Sequence, residues 1–187
     1  MEIIITGKHL EMGDSLKAHI EKAVTDMVKK HFGDVLEAHV NLSKTPAHNF
    51  ETDLSFHISR HFAVRTKAED SDPYRCFDHA LEKMYKRTHK YRERLRDTKR
   101  HESAVEKEHL PALTYVLNAE AEDTNQDNTP IIIAEMNSVV PTVSVSDAVM
   151  HMDLMDQPAM MFKNVNSGRM NVVFRRQDGN IGWIDPS

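Results

Sequence analysis

The segment FETDLSFHISRHFAVRTKAEDSDPYRCFDHALEKMYK, residues 50–86, decides the fold of the amino-terminal half of the chain. Apolar and polar side chains alternate over residues 54–58 and again over residues 62–64, which is typical of half-buried β-strands. The short polar gap around Arg60 predicts a tight hairpin between them. The Asp-Pro pair at 72–73 then predicts the start of a helix, because Asp caps helices and Pro is tolerated in the first turn.

The sequence before this segment adds one more strand and one more helix. Residues 2–8 contain β-branched side chains followed by a breaker at Gly7, and therefore predict a strand. Residues 14–32 place apolar side chains at spacings of three and four, which predicts a helix with Asp14 as N-cap and Gly33 as its stop. The remaining strands are predicted at residues 38–45, 50–59 and 61–69. The order β-α-β-β-β-α predicts an α+β fold, a four-stranded sheet with both helices on one face.

Beyond residue 100 the patterns predict a linker and a second, smaller domain. We assign residues 1–100 to the first domain, 101–129 to an acidic flexible linker that contains AEAEDTNQDN, and 130–187 to a β-rich domain. Leu113–Leu117 is the one apolar patch of the linker, and either transient packing or a short element fits it. The last domain is predicted to hold a short helix after Ser144 and strands at 131–136, 159–165, 170–176 and 181–185. So small a domain would gain stability from self-association.

Charge and cysteine content narrow the class of protein. Residues 1–100 hold 19 Lys and Arg against 16 Asp and Glu, whereas the remaining 87 residues hold 5 against 13. This asymmetry favours contact of the first half with a polyanion. Residues 1–7 have no basic n-region and no stretch approaches a spanning helix, so we predict a cytoplasmic protein without a membrane partner. Cys76 is the only cysteine, which rules out an internal disulfide.

The second helix of the first domain carries the strongest functional signal. Five cations fall within a wedge of about 100° on one helix face: Lys83, Lys86, Arg87, Lys90 and Arg94. A second wedge is apolar and would dock the helix on the sheet: Phe77, Leu81, Met84, Thr88, Tyr91 and Leu95. Because acids are nearly absent from the cationic face, we interpret it as a nucleic-acid surface instead of an ordinary solvated face. The first helix adds Lys22 and Lys29.

Enzymatic and metal-dependent functions find little support in the sequence. The twelve histidines form no HExxH motif and no Cys/His cluster, and no Walker or GxSxG motif is present. The methionines between residues 150 and 161 favour an interface over a soft-metal site. We therefore predict no metal, no cofactor and no catalytic residue. A ribonuclease would need an acid and a base near the cationic face, for which His79 and His89 are the available candidates.

Four segments resemble one known family. They are IIITGKHLEM at 3–12, HVNLSK at 39–44, DPYRCFDHALEKMYKR at 72–87 and MMFKNVNSGRMNVVFRRQDGNIGWIDP at 160–186. Through them the chain resembles the long-form bacterial ribosome hibernation promoting factors, whose amino domain is similar to the ribosome-associated inhibitor protein Y. The chain departs from the family in a shorter hairpin at residues 59–61 and in Trp183, where a smaller aliphatic residue is common.

The resemblance implies a translation silencer without catalysis, acting in the stress response of stationary phase. The amino domain would lie in the messenger and transfer-RNA channel of the small ribosomal subunit and contact ribosomal RNA through Lys83, Lys86 and Lys90, with Arg87 and Arg94 as neighbours. The carboxyl domains of two copies would pair and join inactive ribosomes into dimers. The matching strands place this self-association surface at Phe162, Val172, Val173 and Phe174. The alternative is a homodimeric protein-interaction module without RNA binding, in which the cationic helix face is merely solvated.

Overall fold

The computed structural model of the chain describes residues 1–32, 35–59, 62–91, 110–118 and 131–187. Its strands are β1 Glu2–Lys8, β2 Glu37–Lys44, β3 Phe50–Ser59, β4 Phe62–Asp70, β5 Leu110–Leu117, β6 Ile132–Val140, β7 Thr142–Val143, β8 Ala159–Asn164, β9 Met170–Arg175 and β10 Ile181–Ile184. Its α-helices are α1 Asp14–Met27, α2 Pro73–Lys90 and α3 Val145–Leu154.

The amino-terminal domain is the predicted four-stranded sheet with two helices. The strand order is β1-β2-β3-β4, with β1 parallel to β2 and the other neighbours antiparallel. Alternate residues of β2, β3 and β4, such as Val40, Leu54 and Val64, are fully buried against α1 and α2. Ile3 and Ile5 of β1 are partly buried in the same core. The intervening residues face away from the helices, as the two-residue period of a strand requires. The predicted α+β class of this domain is confirmed.

Both helices begin close to the predicted positions, with one difference. Asp72 caps α2, since its carboxylate accepts a hydrogen bond of 2.9 Å from the amide of Arg75. The prediction that Asp14 caps α1 is wrong: Gly13 is the N-cap and Asp14 is the first helical residue. Its carboxylate still lies in the first turn, where the helix dipole favours negative charge.

The end of the first helix differs from an ordinary α-helix. Residues Val28–Phe32 continue α1 as a π-helical turn, so the predicted helix reaches Phe32 but changes its hydrogen-bond pattern after Met27. Val28 is buried, and the cations Lys29 and Lys30 of this turn are exposed. The predicted stop at Gly33 and the hairpin residues Arg60 and His61 lie outside the described residues.

The carboxyl-terminal region contains a sheet, a helix and a separate ribbon. The sheet order is β10-β9-β8-β7, and α3 covers one face by packing Ala148 and Met152 on Phe162 and Val173. Ser144 caps α3 by accepting a hydrogen bond of 3.1 Å from the amide of Asp147. The sequence predicted the helix and the three longer strands, but it missed the two-residue strand β7.

Part of the predicted linker is ordered. The apolar patch at 113–117 belongs to β5, which pairs antiparallel with β6 in a two-stranded ribbon. Of the two alternatives that the sequence left open, the structure therefore adopts the short element. The other residues predicted as linker, 101–109 and 119–129, lie outside the described residues.

Candidate nucleic-acid interface

Helix α2 is oriented by the apolar side chains that it buries. Phe77, Ala80 and Met84 have no exposed surface and pack in the core of the amino-terminal domain. Because residues three and four apart share a helix face, this anchoring turns the cationic residues toward solvent. We call Lys83, Lys86, Arg87 and Lys90 the cationic column. The predicted docking of α2 through one apolar face is thus found in the structure.

The first half of the cationic column is exposed. The ammonium group of Lys83 donates a hydrogen bond of 2.9 Å to the backbone carbonyl of Lys67 on β4. Lys86 forms an ion pair of 2.6 Å with Glu82, one turn earlier on the same helix. An exposed pair of this kind contributes little to stability, because water screens the two charges. Both cations can therefore exchange these partners for a phosphate at little cost.

The second half of the column contacts the carboxyl-terminal region, which covers most of Arg87 but leaves the Lys90 side chain 64% exposed. The Arg87 guanidinium, whose side chain is 24% exposed, donates to the carbonyl of Arg65 and at 2.8 Å to the carboxylate of Asp156. The Lys90 ammonium lies 3.4 Å from the carboxylate of Asp153. The sequence did not predict these acidic partners, which lie more than sixty residues away along the chain.

Two of the remaining predicted RNA-binding residues lie apart from the column. Lys22 is exposed on α1, and Lys29 is exposed on the π-helical turn that follows it. Arg94 lies outside the described residues. The structure thus brings four of the seven predicted residues together on α2 and leaves two on the neighbouring helix.

The contact between α3 and the amino-terminal domain is apolar as well as ionic. Met150 and Leu154 are fully buried and belong to the same core cluster as the residues of α2 and the first sheet. The ring of Phe62 on β4 lies 4.7 Å from the ring of His151, measured between centroids. The Tyr91 hydroxyl donates a hydrogen bond of 2.9 Å to Asp153. We call this set of contacts the interdomain contact.

The carboxyl-terminal sheet presents a second surface on the face opposite α3. Met161, Val172 and Ile184 are paired across β8, β9 and β10 and form a row on that face. Met161 and Ile184 are more than half exposed, at 54% and 52%. We call these three residues the outer apolar row.

The four residues predicted for self-association divide between the two faces of this sheet. Val172 and Phe174 lie on the outer face and are half-buried. Phe162 and Val173 are fully buried beneath α3. They therefore form part of the core on the inner face of the sheet and are not available for contact with a second copy. A methyl group at Gly182 would lie only 2.2 Å from the Phe174 ring, which shows how closely that ring covers β10.

The candidate acid and base of a ribonuclease do not meet. His79 and His89 are ten residues apart on α2, which separates them by about 15 Å along the helix axis. His79 pairs with Asp70 at 3.5 Å, and the His89 ring packs at a tilted angle against the ring of Tyr85. Within the residues that the structure describes, no group of three His, Cys, Asp or Glu side chains is placed to hold a metal ion. None of the described helices combines the length and apolar character that a membrane crossing requires.

The described residues form an α+β fold with a cationic helix face and an apolar sheet face. Residues 3–96 match the family described as Sigma 54 modulation protein / S30EA ribosomal protein, and residues 127–182 match the description of its C terminus. The chain belongs to this family, which includes the ribosome hibernation promotion factors.

Individual relatives match over nearly the full chain. A ribosome hibernation promotion factor of Bradyrhizobium diazoefficiens is 33% identical over 193 residues, covering 100% of this chain and 95% of that protein. One of Rhizobium meliloti is 31% identical over 188 residues, covering 99% of this chain and 97% of that protein.

A solved structure matches the amino-terminal half of the chain. The Protein Y N-terminal domain of Thermus thermophilus is 24% identical, with a TM-score of 0.43, and the match covers 49% of this chain and 100% of that chain.

Proposed function

We propose that this protein promotes ribosome hibernation in the cytoplasm by binding the decoding channel of the small subunit and joining inactive ribosomes into dimers. The family membership supports the hibernation role. The main support for an RNA contact is the cationic column. It lies on the solvent-facing side of α2, and the opposite side of this helix is buried in the core. The protein would act by occupancy, excluding messenger and transfer RNA without a chemical step.

Electrostatics support the column as an RNA surface. Residues 83–90 span about 10 Å of helix, so their cations lie close enough together to meet neighbouring phosphates of a folded RNA. Each cation that neutralises a phosphate releases condensed counterions, which is the main source of affinity in such contacts. The backbone of α2 is already ordered in the fold, so binding of RNA would have to fix only the side chains of the column.

The outer apolar row supports self-association. A sheet face that exposes Met161, Val172 and Ile184 side by side is costly in water, at roughly 25 cal/mol for each Å² of apolar surface. Pairing of this face with that of a second copy would remove the cost. Two RNA-binding domains joined in this way would each raise the effective concentration of the other at paired ribosomes.

The RNA contact is tested by sedimentation with ribosomes. Wild-type protein should cosediment with the small subunit, and the variant K83E/K86E/K90E should lose this binding because three attractive contacts become repulsive. The matched control K8E/K44E/K67E makes the same charge change at exposed lysines of the strands and should retain binding. If neither wild type nor control cosediments, the proposal fails and the homodimeric interaction module takes its place.

Self-association is tested separately in the same gradients. Val172→Asp places a charge in the outer apolar row and should abolish the faster ribosome-dimer peak while leaving small-subunit binding intact. Val165→Asp introduces the same side chain at an exposed position outside the strands of the sheet and should leave the dimer peak unchanged. An intact dimer peak with V172D would show that the outer apolar row is not the self-association surface.

A further inference from the structure

The carboxyl-terminal region contacts two of the cations that the proposed function assigns to RNA, Arg87 and Lys90. Asp156 takes a charge-assisted hydrogen bond of 2.8 Å from Arg87, and Asp153 lies 3.4 Å from Lys90. A carboxylate and a phosphate oxygen seek the same guanidinium or ammonium donors. One cation therefore cannot give its full set of hydrogen bonds to both groups at once.

The interdomain contact has features of a specific docking site. Met150 and Leu154 bury their side chains completely in the amino-terminal core, and the hydroxyl of Tyr91 joins the two domains through Asp153. Asp156 follows α3 closely in the chain and adopts a left-handed backbone conformation with φ 56°. Its carboxylate accepts the hydrogen bond from Arg87. Apolar burial thus supplies affinity, and the two acids direct the contact to the end of the cationic column.

We infer that α3, with Asp153 and with Asp156 just after the helix, competes with RNA within the same molecule. These two carboxylates must leave Arg87 and Lys90 before the whole cationic column can bind RNA. This inference rests on the proposed function. Among the described residues, Lys83 and Lys86 have no partner in the carboxyl-terminal region. Their partners are Lys67 and Glu82, both in the amino-terminal domain. RNA would therefore engage the first half of the column and then displace α3 from the second half.

The energetic consequence is a reduced apparent affinity. If only a fraction of the molecules is undocked, the apparent dissociation constant for RNA is the intrinsic constant divided by that fraction. Weakening the interdomain contact must then tighten binding to the ribosome. The reverse also holds, since bound ribosome must favour the undocked carboxyl-terminal region.

The first test uses Asp156→Asn in the full-length chain. This variant removes the charge facing Arg87 and keeps a side chain that tolerates a left-handed backbone. Its affinity for purified small subunits should rise about two- to fivefold, as expected for a partly exposed ion pair. The control Asp178→Asn removes an equal charge from the pair with Arg176, which lies outside the interdomain contact. Its affinity should stay close to that of wild type.

Hydrogen exchange of the free protein reports the docking itself. Amides of α3 and of the last turn of α2 should exchange faster in D156N, and faster still in D153N/D156N, but not in D178N. If D156N and D178N are the same in both measurements, the competitor role is overturned. Faster exchange without a gain in affinity also overturns it. If no variant binds small subunits, the proposed function fails, and with it the assignment of RNA as the competing ligand.

Discussion

Asp153 joins the two domains through a single carboxylate. It accepts hydrogen bonds of 2.8 Å from Arg175 and 2.9 Å from Tyr91, and it lies 3.4 Å from the ammonium of Lys90. Burial raises the pKa of Asp153, but the hydrogen bonds from Arg175 and Tyr91 and the charge of Lys90 outweigh it and lower the pKa overall. A carboxyl group with a lowered pKa stabilises the folded state above its unfolded pKa of about 3.9. That contribution is lost as pH falls through the folded value.

Asp153→Asn should therefore cost stability at neutral pH and cost little in acid. We expect a loss of about 1–2 kcal/mol at pH 7, because the amide keeps one acceptor oxygen but loses the charge that strengthens its hydrogen bonds. The loss should begin to shrink as pH falls below about 4, where the carboxyl group takes up a proton in the unfolded chain, and it should vanish only below the lowered pKa of the folded state. Urea unfolding of wild type and D153N between pH 7 and pH values below about 4 measures the stability loss at neutral pH and its decrease in acid. A deficit for D153N that stays the same at every pH would contradict the linkage.

At the residue scale the sequence predicts what local spacing determines. The cap at Asp72 and the cationic face of α2 follow from positions a few residues apart, and both are found in the structure. The partners of Arg87 and Lys90 could not be predicted, because Asp156 and Asp153 are 69 and 63 residues away and no periodicity links them. The one available signal was the acidic end of the predicted short helix.

The ribbon of β5 and β6 buries little of its apolar surface. Large apolar residues on both strands are exposed, among them Tyr115 at 47% and Ile133 at 62%. Among the described residues, each strand pairs only with the other, in a separate two-stranded sheet. An isolated hairpin is marginally stable at best in water, because its few hydrogen bonds and one pair of strands bury little apolar surface.

The ribbon should therefore open more readily than the sheets beside it. Amides of β5 and β6 should exchange with deuterium at least about tenfold faster than those of β3, which corresponds to a difference of about 1.4 kcal/mol in opening free energy. Strand β3 is the suitable reference because it is paired on both sides. Strand β9 gives a second reference in the carboxyl-terminal sheet. Equal protection of the ribbon and β3 would contradict this expectation and would indicate that the ribbon is covered in solution.

At the element scale the sequence predicts long elements well and their pairing poorly. Alternating apolar side chains identify β3 and β4, and Asp-Pro identifies the start of α2. The pairing of β5 with β6 could not be predicted, because a polar stretch separates the two strands and neither alternates strongly. Strand β7 has only two residues and carries no period. The π-helical turn after α1 likewise has the same side-chain pattern as an α-helix over so short a length.

Across the whole molecule, charge is divided between the two halves. The first 100 residues carry an excess of three positive charges and the rest an excess of eight negative charges. The interdomain contact brings these opposite charges together at Arg87 and Lys90. Under the proposed function, association with RNA would replace these ion pairs by contacts to phosphates, and both sets of contacts weaken with added salt. The cations that make no interdomain ion pair in the described residues should contribute most directly to the salt dependence of ribosome binding.

Lys86 is such a cation, and its removal should change the salt dependence by a defined amount. Each phosphate contact to RNA contributes about 0.7–0.9 to the slope of log affinity against log salt concentration. Lys86→Gln should therefore reduce the slope by about that amount and weaken binding most at low salt. Lys67→Gln removes an equal charge from the open face of the first sheet, where Lys67 pairs with Asp53, and should leave the slope unchanged. The measurement is small-subunit affinity across a salt series. A wild-type affinity that does not change with salt would contradict phosphate contacts altogether, because an apolar protein interface releases few counterions.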